Sequence, residues 1–440
     1  MKLYSTGGGI LDSLELSTAE EPLAAWHFPR TAEEIALWCA FSSGVVVILS
    51  IAISAILFGG ALLALLVGRV RWRFPRIGLP LGLFAAGTLI AFAYSEVPSA
   101  GLSQIKHMYL YLMLPVMFTT LRTPARAAWF MMAAVLATAL MAVLGCGQFL
   151  EKLHEAHQTG KSFYEFYVDH RIHGLQRHWM AFSGQELYGL LIAGAWLLFA
   201  PIPKRRLWIG LLCTGVIGLA LLLAETRSIW IAAFFAFVYL LWFWQRKFAL
   251  LAPAVVAIGI LVAPANIQQR VISIVHPNGY TDSNAHRIVC WRTGLEMIKA
   301  HPLLGLGPDV QKDTLKFYDY VPSDIPWPLP TGSYGHLHNL YIQYAADRGI
   351  PTMLMMVWFL VQIIVNSLRK LRTLPPGRGT MRFLLHAAVA CTIGSMIFGI
   401  FEYNLNTSVV LTLYLAIAAC AAIATQESHG ETHDGDIARA

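Results

Sequence analysis

The segment His336-Leu337-His338-Asn339-Leu340-Tyr341-Ile342-Gln343 sets two imidazoles beside an amide. It heads a stretch of helical composition that stops at Gly349-Ile350-Pro351, where an apolar run begins. An imidazole changes charge near neutral pH, so a histidine at the foot of a membrane helix, on a water-accessible side, can take a proton from a hydroxyl. Asn339 and Gln343 share a helical face at i, i+4. His336 and His338 also form a two-ligand metal motif, but no third ligand stands at useful spacing, and no metal is expected. Upstream, Asn284 to Arg292 opens a second helical pattern, with Ile288, Trp291, Leu295 and Ile298 on one face. Arg287 and Arg292 there are candidates to clamp phosphate, because a planar guanidinium binds it through two parallel hydrogen bonds. The plain alternative is a pair of surface arginines on an amphipathic helix. The turn Leu223-Ala224-Glu225-Thr226-Arg227-Ser228 puts Arg227 at a membrane boundary, where reaching for headgroups explains it when taken alone. Several arginines on one side favour a shared role, a site for an anionic phosphate group carried by a lipid. His301-Pro302-Leu303-Leu304-Gly305-Leu306-Gly307-Pro308, dense in Gly and Pro, shapes backbone rather than performing chemistry.

The elements that must hold these residues are membrane spans. Of 440 residues, 57% are hydrophobic and 13% charged, where a soluble domain carries about a quarter charged. That excludes a disordered chain, a disulfide-rich secreted domain and a cytosolic enzyme. Apolar runs near the length of one span recur at 78–95, 101–121, 127–150, 179–201, 207–223, 229–245, 248–264, 350–368, 383–401 and 407–425. Ile35 to Gly68 would make a helix about 50 Å long against a bilayer core of about 30 Å, so it reads as two short helices. The expected fold is an all-α polytopic membrane protein of about twelve transmembrane helices, with one large outer loop containing short helices. Residues 1–425 form a single integral membrane domain with outer loops 151–178 and 265–337, and 426–440 is a polar, disordered cytoplasmic tail. Lys106 lies near an outer end and no acid is expected mid-span, which argues against a transporter.

Charge sets the sidedness. Arg69, Arg71, Arg73 and Arg76, then Arg122 and Arg126, then Lys204 to Arg206, then Arg246 and Lys247, then Arg369 to Arg382 mark one set of loops. The alternate set (96–100, 151–178, 225–228, 265–337 and 402–406) is not basic, and the sets alternate strictly along the chain. The positive-inside rule therefore places the long loops outside and accounts for the net charge of +7 without a nucleic-acid partner. The six cysteines form no CxxC, so neither disulfide nor zinc is implied, and no cleaved signal peptide is expected. Asp434-Gly435-Asp436 lies in the tail, on the far side from the long loops, and carries no weight.

At these residues the chain resembles the O-antigen ligase / O-antigen polymerase superfamily of bacterial envelope glycosyltransferases. The matching pieces are Thr226-Arg227-Ser228 after a span, Arg287 to Trp291 leading into His301 to Gly307, and His338 to Gln343 running into Gly349-Ile350, across roughly 205–365. Arg171-Ile172-His173-Gly174-Leu175, with Arg177 close by, is similar to an upstream Arg-x-x-Gly element. One departure is Thr-Arg-Ser where many members have Ser-Arg-Gly. The resemblance implies a multi-pass enzyme of the bacterial inner membrane with a periplasmic site. It would move O-antigen polysaccharide from undecaprenyl pyrophosphate to a hydroxyl of lipid A–core, with inversion and with no metal, nucleotide or other cofactor. His338 would be the general base, and Arg287, Arg227, Arg171, Arg177, Arg292 and Asn339 would bind pyrophosphate or glycan; the other partners are membrane lipids. The alternatives are an O-antigen polymerase, which would show two comparable outer loops, a protein O-oligosaccharyltransferase and, outside enzymes, a transporter of lipid-linked glycan.

Overall fold

A computed structural model describes residues 31–160, 163–275, 283–312, 314–332 and 334–426, and among these it contains seventeen α-helices and no strand. The apolar run from Ile35 is two helices, α1 (Ala32–Val46) and α2 (Ile51–Val67), as its length demands. Ser43 and Ser54 pin this hairpin, each hydroxyl donating to the other's carbonyl at 2.9 Å. Hydroxyls inside an apolar bundle need such partners. α3 (Gly78–Ala93) follows. The run 101–121 is not one α-helix. It divides into α4 (Pro98–His107), a tighter turn at Met108–Leu112, and α5 (Met113–Leu121). No Pro or Gly stands within 102–114 to signal that break.

α6 (Pro124–Thr159), capped by Thr123, continues well past its apolar part into the first long loop, so 151–159 is helix rather than connector. After α7 (Phe163–Asp169) come α8 (Trp179–Phe199), α9 (Lys204–Leu223), α10 (Arg227–Trp244) and α11 (Arg246–Val262). The second long loop holds α12 (Ala265–Val275), α13 (Ser283–Ala300) and α14 (Thr314–Tyr318). α15 (Leu340–Thr373), α16 (Thr380–Phe401) and α17 (Ser408–Gln426) close the described chain, and residues 427–440, the expected tail, lie outside it. α6, α9, α10, α15, α16 and α17 are long and apolar enough to cross a membrane, and α2 and α3 are shorter apolar helices. α17 lies at the centre, packed on α5, α6, α8 and α16, and buries nearly its whole length.

The second long loop has its own core of Val289, Cys290, Met297, Leu306, Val310, Phe317, Ile325, Leu337 and Ala346. It is therefore packed structure rather than a solvated connector. α13 turns His286, Val289, Cys290, Thr293 and Met297 inward, while Ile288 and Leu295, expected on the packed face, are 54% and 48% exposed. Gly294 decides this. A Cβ there would meet Ile342 at 2.4 Å and Leu337 at 2.8 Å, so this is the face that lets the backbones approach.

Glu186 lies inside α8 with no exposed surface, so the apolar run 179–201, read from the sequence as a span free of acids, does contain a buried one.

The loops meet in the groupings that charge predicted. At one end, Arg73 accepts and donates with Thr119, Arg122 pairs with Glu33 at 3.1 Å, and Gly379 N–H donates to Phe199 O at 2.8 Å. At the other, Ser95 donates to Leu306 O (3.2 Å), Arg270 to Glu225 O (3.1 Å) and Asn339 to Ile400 O (2.8 Å).

Candidate active site

The second end gathers most of the chemistry-bearing side chains around His338. Three features bring it there. Asn339 has extended backbone and caps α15, its side-chain oxygen accepting from the Tyr341 and Ile342 amides at 2.9 and 3.0 Å. Its amide nitrogen donates to Ile400 O, tying the cap to the end of α16. Both polar ends of Asn339 are thus used within the protein. His338 itself has φ +48, a left-handed conformation that a side chain adopts only when its surroundings hold it there. The Trp291 indole supplies one such hold, donating to His338 O at 3.1 Å.

Glu402, the residue that ends α16, reaches under the imidazole. Its Oε2 lies 3.2 Å from His338 Nδ1, and its Oε1 accepts from Arg287. Glu402 is 5% exposed. Burial alone would raise its carboxyl, but the Arg287 charge and the His338 hydrogen bond outweigh that and hold it down at about 2. An ionised carboxylate can only accept, so the His338 proton sits on Nδ1 and donates to Glu402. Nε2 is then left with its lone pair. His338 remains 18% exposed. An imidazole oriented by a carboxylate in this way can act as a base.

His336 stands beside it, ring centres 4.0 Å apart, and its Nδ1 accepts from the His338 amide at 3.4 Å. Burial and the neighbouring His338 push His336 down to about 3, so it stays neutral through the physiological range. His286 lies edge-on to His338 at 5.2 Å. Burial pushes the Cys290 thiol beneath it up to about 12, which leaves it a packing group rather than a nucleophile.

The arginines form a band next to this pair. Arg287 comes from α13. Arg227 opens α10 and donates to Asn284 at 2.9 Å, so it is tied to the start of α13. Arg171 is buried, donates to Val168 O at 2.9 Å and stacks 4.5 Å over the Trp179 ring. Burial, aided by the charges of Arg270 and Arg287, lowers its guanidinium to about 9, so it keeps its charge at pH 7. The Leu223-to-Ser228 turn is fixed from several sides. Glu225 has φ +47, the Tyr167 hydroxyl donates to Leu223 O at 2.6 Å, and Ser183 and Thr226 share a hydrogen bond at 3.0 Å. Arg270 of α12, also buried, docks on Glu225 O. Among the described residues, these four guanidiniums stand with two carboxylates, Glu225 and Glu402, a grouping suited to an anion.

Two expected site residues lie apart from the band. Arg292 makes 2.8 Å bonds to both carboxylate oxygens of Asp324, with both side chains largely exposed. Arg177 is exposed on the turn after Arg171.

Sequence reasoning missed Glu402, Arg270 and His178. His178 caps α8, its Nδ1 accepting from Met180 N at 3.1 Å, and stacks on Trp179. Burial lowers its pKa against the pull of nearby Glu402. The available signal for Glu402 was a lone acid directly after a span, facing loops rich in arginine. Among the described residues, no three His, Cys, Asp or Glu side chains gather as a metal site requires.

Residues 211–357 match the family model described as O-antigen ligase, which supports an O-antigen ligase-family assignment. The matched region contains Arg227, Arg270, Arg287 and His338, whereas Arg171 and Glu402 lie outside it. No curated protein matches the chain.

Proposed function

We propose that this multi-pass protein is a glycosyltransferase of the ligase type, moving a polysaccharide from undecaprenyl pyrophosphate to a hydroxyl of lipid A–core. The observation that carries the reading is the line Arg287–Glu402–His338, in which one buried carboxylate joins the anion-binding band to the imidazole. The family match supports ligase- or polymerase-type transfer and lipid-linked glycan substrates. The loop charges and the packing of alternate loops at one end support the rest of the picture. The spans are α1, α2, α3, the broken 98–121 segment, α6, α8 to α11 and α15 to α17, which makes twelve. The site faces the periplasm across the bacterial inner membrane.

On this reading the transfer proceeds in a single displacement. Arg287, Arg227, Arg171 and Arg270 hold the donor's pyrophosphate, whose lipid tail lies among the spans. His338 Nε2 takes the proton of the acceptor hydroxyl as its oxygen attacks the anomeric carbon. The bond from that carbon to the phosphate oxygen breaks, and the electron pair leaves on the pyrophosphate, where the arginines stabilise the charge as it develops. Glu402 keeps the imidazole in the productive tautomer and stabilises the imidazolium that forms. Attack opposite the leaving group inverts the configuration. The pyrophosphate supplies the activation, and the residues assigned to these steps call for no metal or nucleotide.

The deciding experiment supplies purified protein with lipid-linked polysaccharide and either lipid A–core or free glycan as acceptor. Transfer to lipid A–core alone is expected. Chain extension with the free glycan would make the protein a polymerase, and transfer to neither would end the reading.

A further inference from the structure

We propose that Gln343 is a positioning residue for His338, held in register by the buried Asp347–Arg348 pair that locks the 305–312 turn onto the break in α15. The proposal rests on His338 acting as the base. It starts from an unusual set of buried polar groups that the reaction itself does not use. Gln343, Asp347 and Arg348 are each at most 1% exposed. Gln343 Oε1 accepts from the Leu337 amide at 2.7 Å, fixing the peptide immediately before His338 and its left-handed backbone. Gln343 Nε2 donates to Asp347 Oδ1 at 3.0 Å. Asp347 Oδ2 pairs with Arg348 at 3.3 Å, and Arg348 donates to Gln104 Oε1 at 3.3 Å. Gln104 Nε2 donates in turn to Asp309 Oδ1 at 3.1 Å. One side-chain chain therefore runs from the Leu337 peptide through Gln104 of α4 to the 305–312 turn.

Backbone contacts run beside it. At Gly349, with φ +80, α15 breaks and exposes carbonyls to the turn. Leu306 N–H donates to Ala346 O at 2.9 Å, Gly307 N–H to Asp347 O at 3.0 Å, and Ile350 N–H to Pro302 O at 2.8 Å. Arg348 also lies over the rings of Tyr344 and Phe84 at 4.7 and 5.5 Å.

A buried ion pair adds little net stability, since desolvation offsets the attraction, and its better-supported use is to fix one arrangement among several. Here the arrangement fixed is the height and direction of the peptide carrying His338. Glu402 sets the imidazole's tautomer, and Gln343 sets where the imidazole starts from. A displacement of about 1 Å at a base can cost about a hundredfold in rate.

The test uses full-length protein in lipid nanodiscs, undecaprenyl-pyrophosphate-linked polysaccharide as donor and lipid A–core as acceptor. Gln343→Leu and the less shape-perturbing Gln343→Met both lose the bond to the Leu337 amide. Each should lower kcat by about ten- to a hundredfold, with KM for both substrates within about twofold of wild type. In a His338→Gln background either substitution should cost almost nothing further, because two residues acting through one group are not additive. Unchanged kcat in the variant that folds, a rise in KM alone, or a full multiplicative loss on top of His338→Gln would each overturn the proposal. The His338→Gln arm by itself reports separately on whether His338 is the base.

Discussion

At the residue scale, the decisive feature is that a single carboxylate faces a guanidinium on one oxygen and an imidazole on the other. Arg287 keeps Glu402 ionised, and the ionised Glu402 dictates which nitrogen of His338 carries the proton. A positioned base contributes about 10²- to 10⁴-fold. His338→Gln, which keeps polarity but cannot take the proton, should therefore reduce transfer by at least about a hundredfold while the protein still inserts. His336→Gln should cost far less, since a residue held at about 3 is already neutral and its ring nitrogen serves the neighbouring amide. Initial-rate assays on the two variants decide this, and equal losses would remove the distinction. Glu402 yields a pH prediction. Its folded pKa is depressed, so its stabilising contribution is present above the ordinary carboxyl range and is lost progressively as pH falls through that range to about 2. Thermal unfolding should thus show Glu402→Gln destabilised at pH 8, where both the folded and the unfolded carboxyl are charged, and the difference should shrink as pH falls below the ordinary carboxyl range. His338, Arg287 and Arg227 were legible in the sequence because their types and order carry the signal. Glu402 was not, because 64 residues separate it from His338 and only the fold brings α16's end beneath α15's start.

At the element scale, the site depends on how α15 begins and breaks. Asn339 was read as a possible ligand for glycan, yet its oxygen caps the helix and its amide grips Ile400. Removing a cap costs about 1 kcal/mol, so Asn339→Ala should lower the apparent melting temperature and reduce activity much less than His338→Gln does. A loss of transfer as deep as that of His338→Gln, with an unchanged melting temperature, would return Asn339 to the substrate. Gly349 makes the stronger demand. At φ +80 a side chain is strained by more than about 1 kcal/mol. A Cβ there would also sit 1.9 Å from Leu303 O, where no atom fits. Gly349→Ala should force the 301–307 turn off α15, and faster proteolysis within 301–332 than in wild type is the expected readout. The helical pattern of α13 was legible, but not its inward face, because the helix has apolar residues on two sides and Gly294 selects between them. The split of 35–68 followed from length alone. The break at 107–113 had no such cue, since tertiary packing rather than a helix-breaking residue makes it.

At the scale of the whole molecule, the two ends of the bundle differ in chemistry. Basic residues mark one, while the other collects Arg171, Arg227, Arg270, Arg287, Glu402 and His338 from four stretches of chain, 151–178, 225–228, 265–338 and 402–406. Charge alternation grouped those stretches before any contact was known, because loops that share a side of the membrane are the only ones able to touch. Glu186 shows the limit of that reasoning: a buried acid inside α8 leaves sidedness unchanged, so charge counting over loops passes over it. The grouping makes a prediction that does not depend on catalysis. Trp327 is 64% exposed at the His338 end, and Arg205 is exposed at the opposite end. Cysteines introduced at these two positions, in a background with the native cysteines replaced, should behave oppositely. Trp327→Cys should react with a membrane-impermeant maleimide in spheroplasts, and Arg205→Cys only after the membrane is opened. Six native thiols require that replacement, although Cys213, Cys290, Cys391 and Cys420 are buried and only Cys39 and Cys146 are partly accessible. Labelling of both positions from outside would place the two ends on one side and break the link between loop charge and topology. The reverse pattern would turn the site to the cytoplasm, where neither a periplasmic acceptor nor the proposed ligation could reach it.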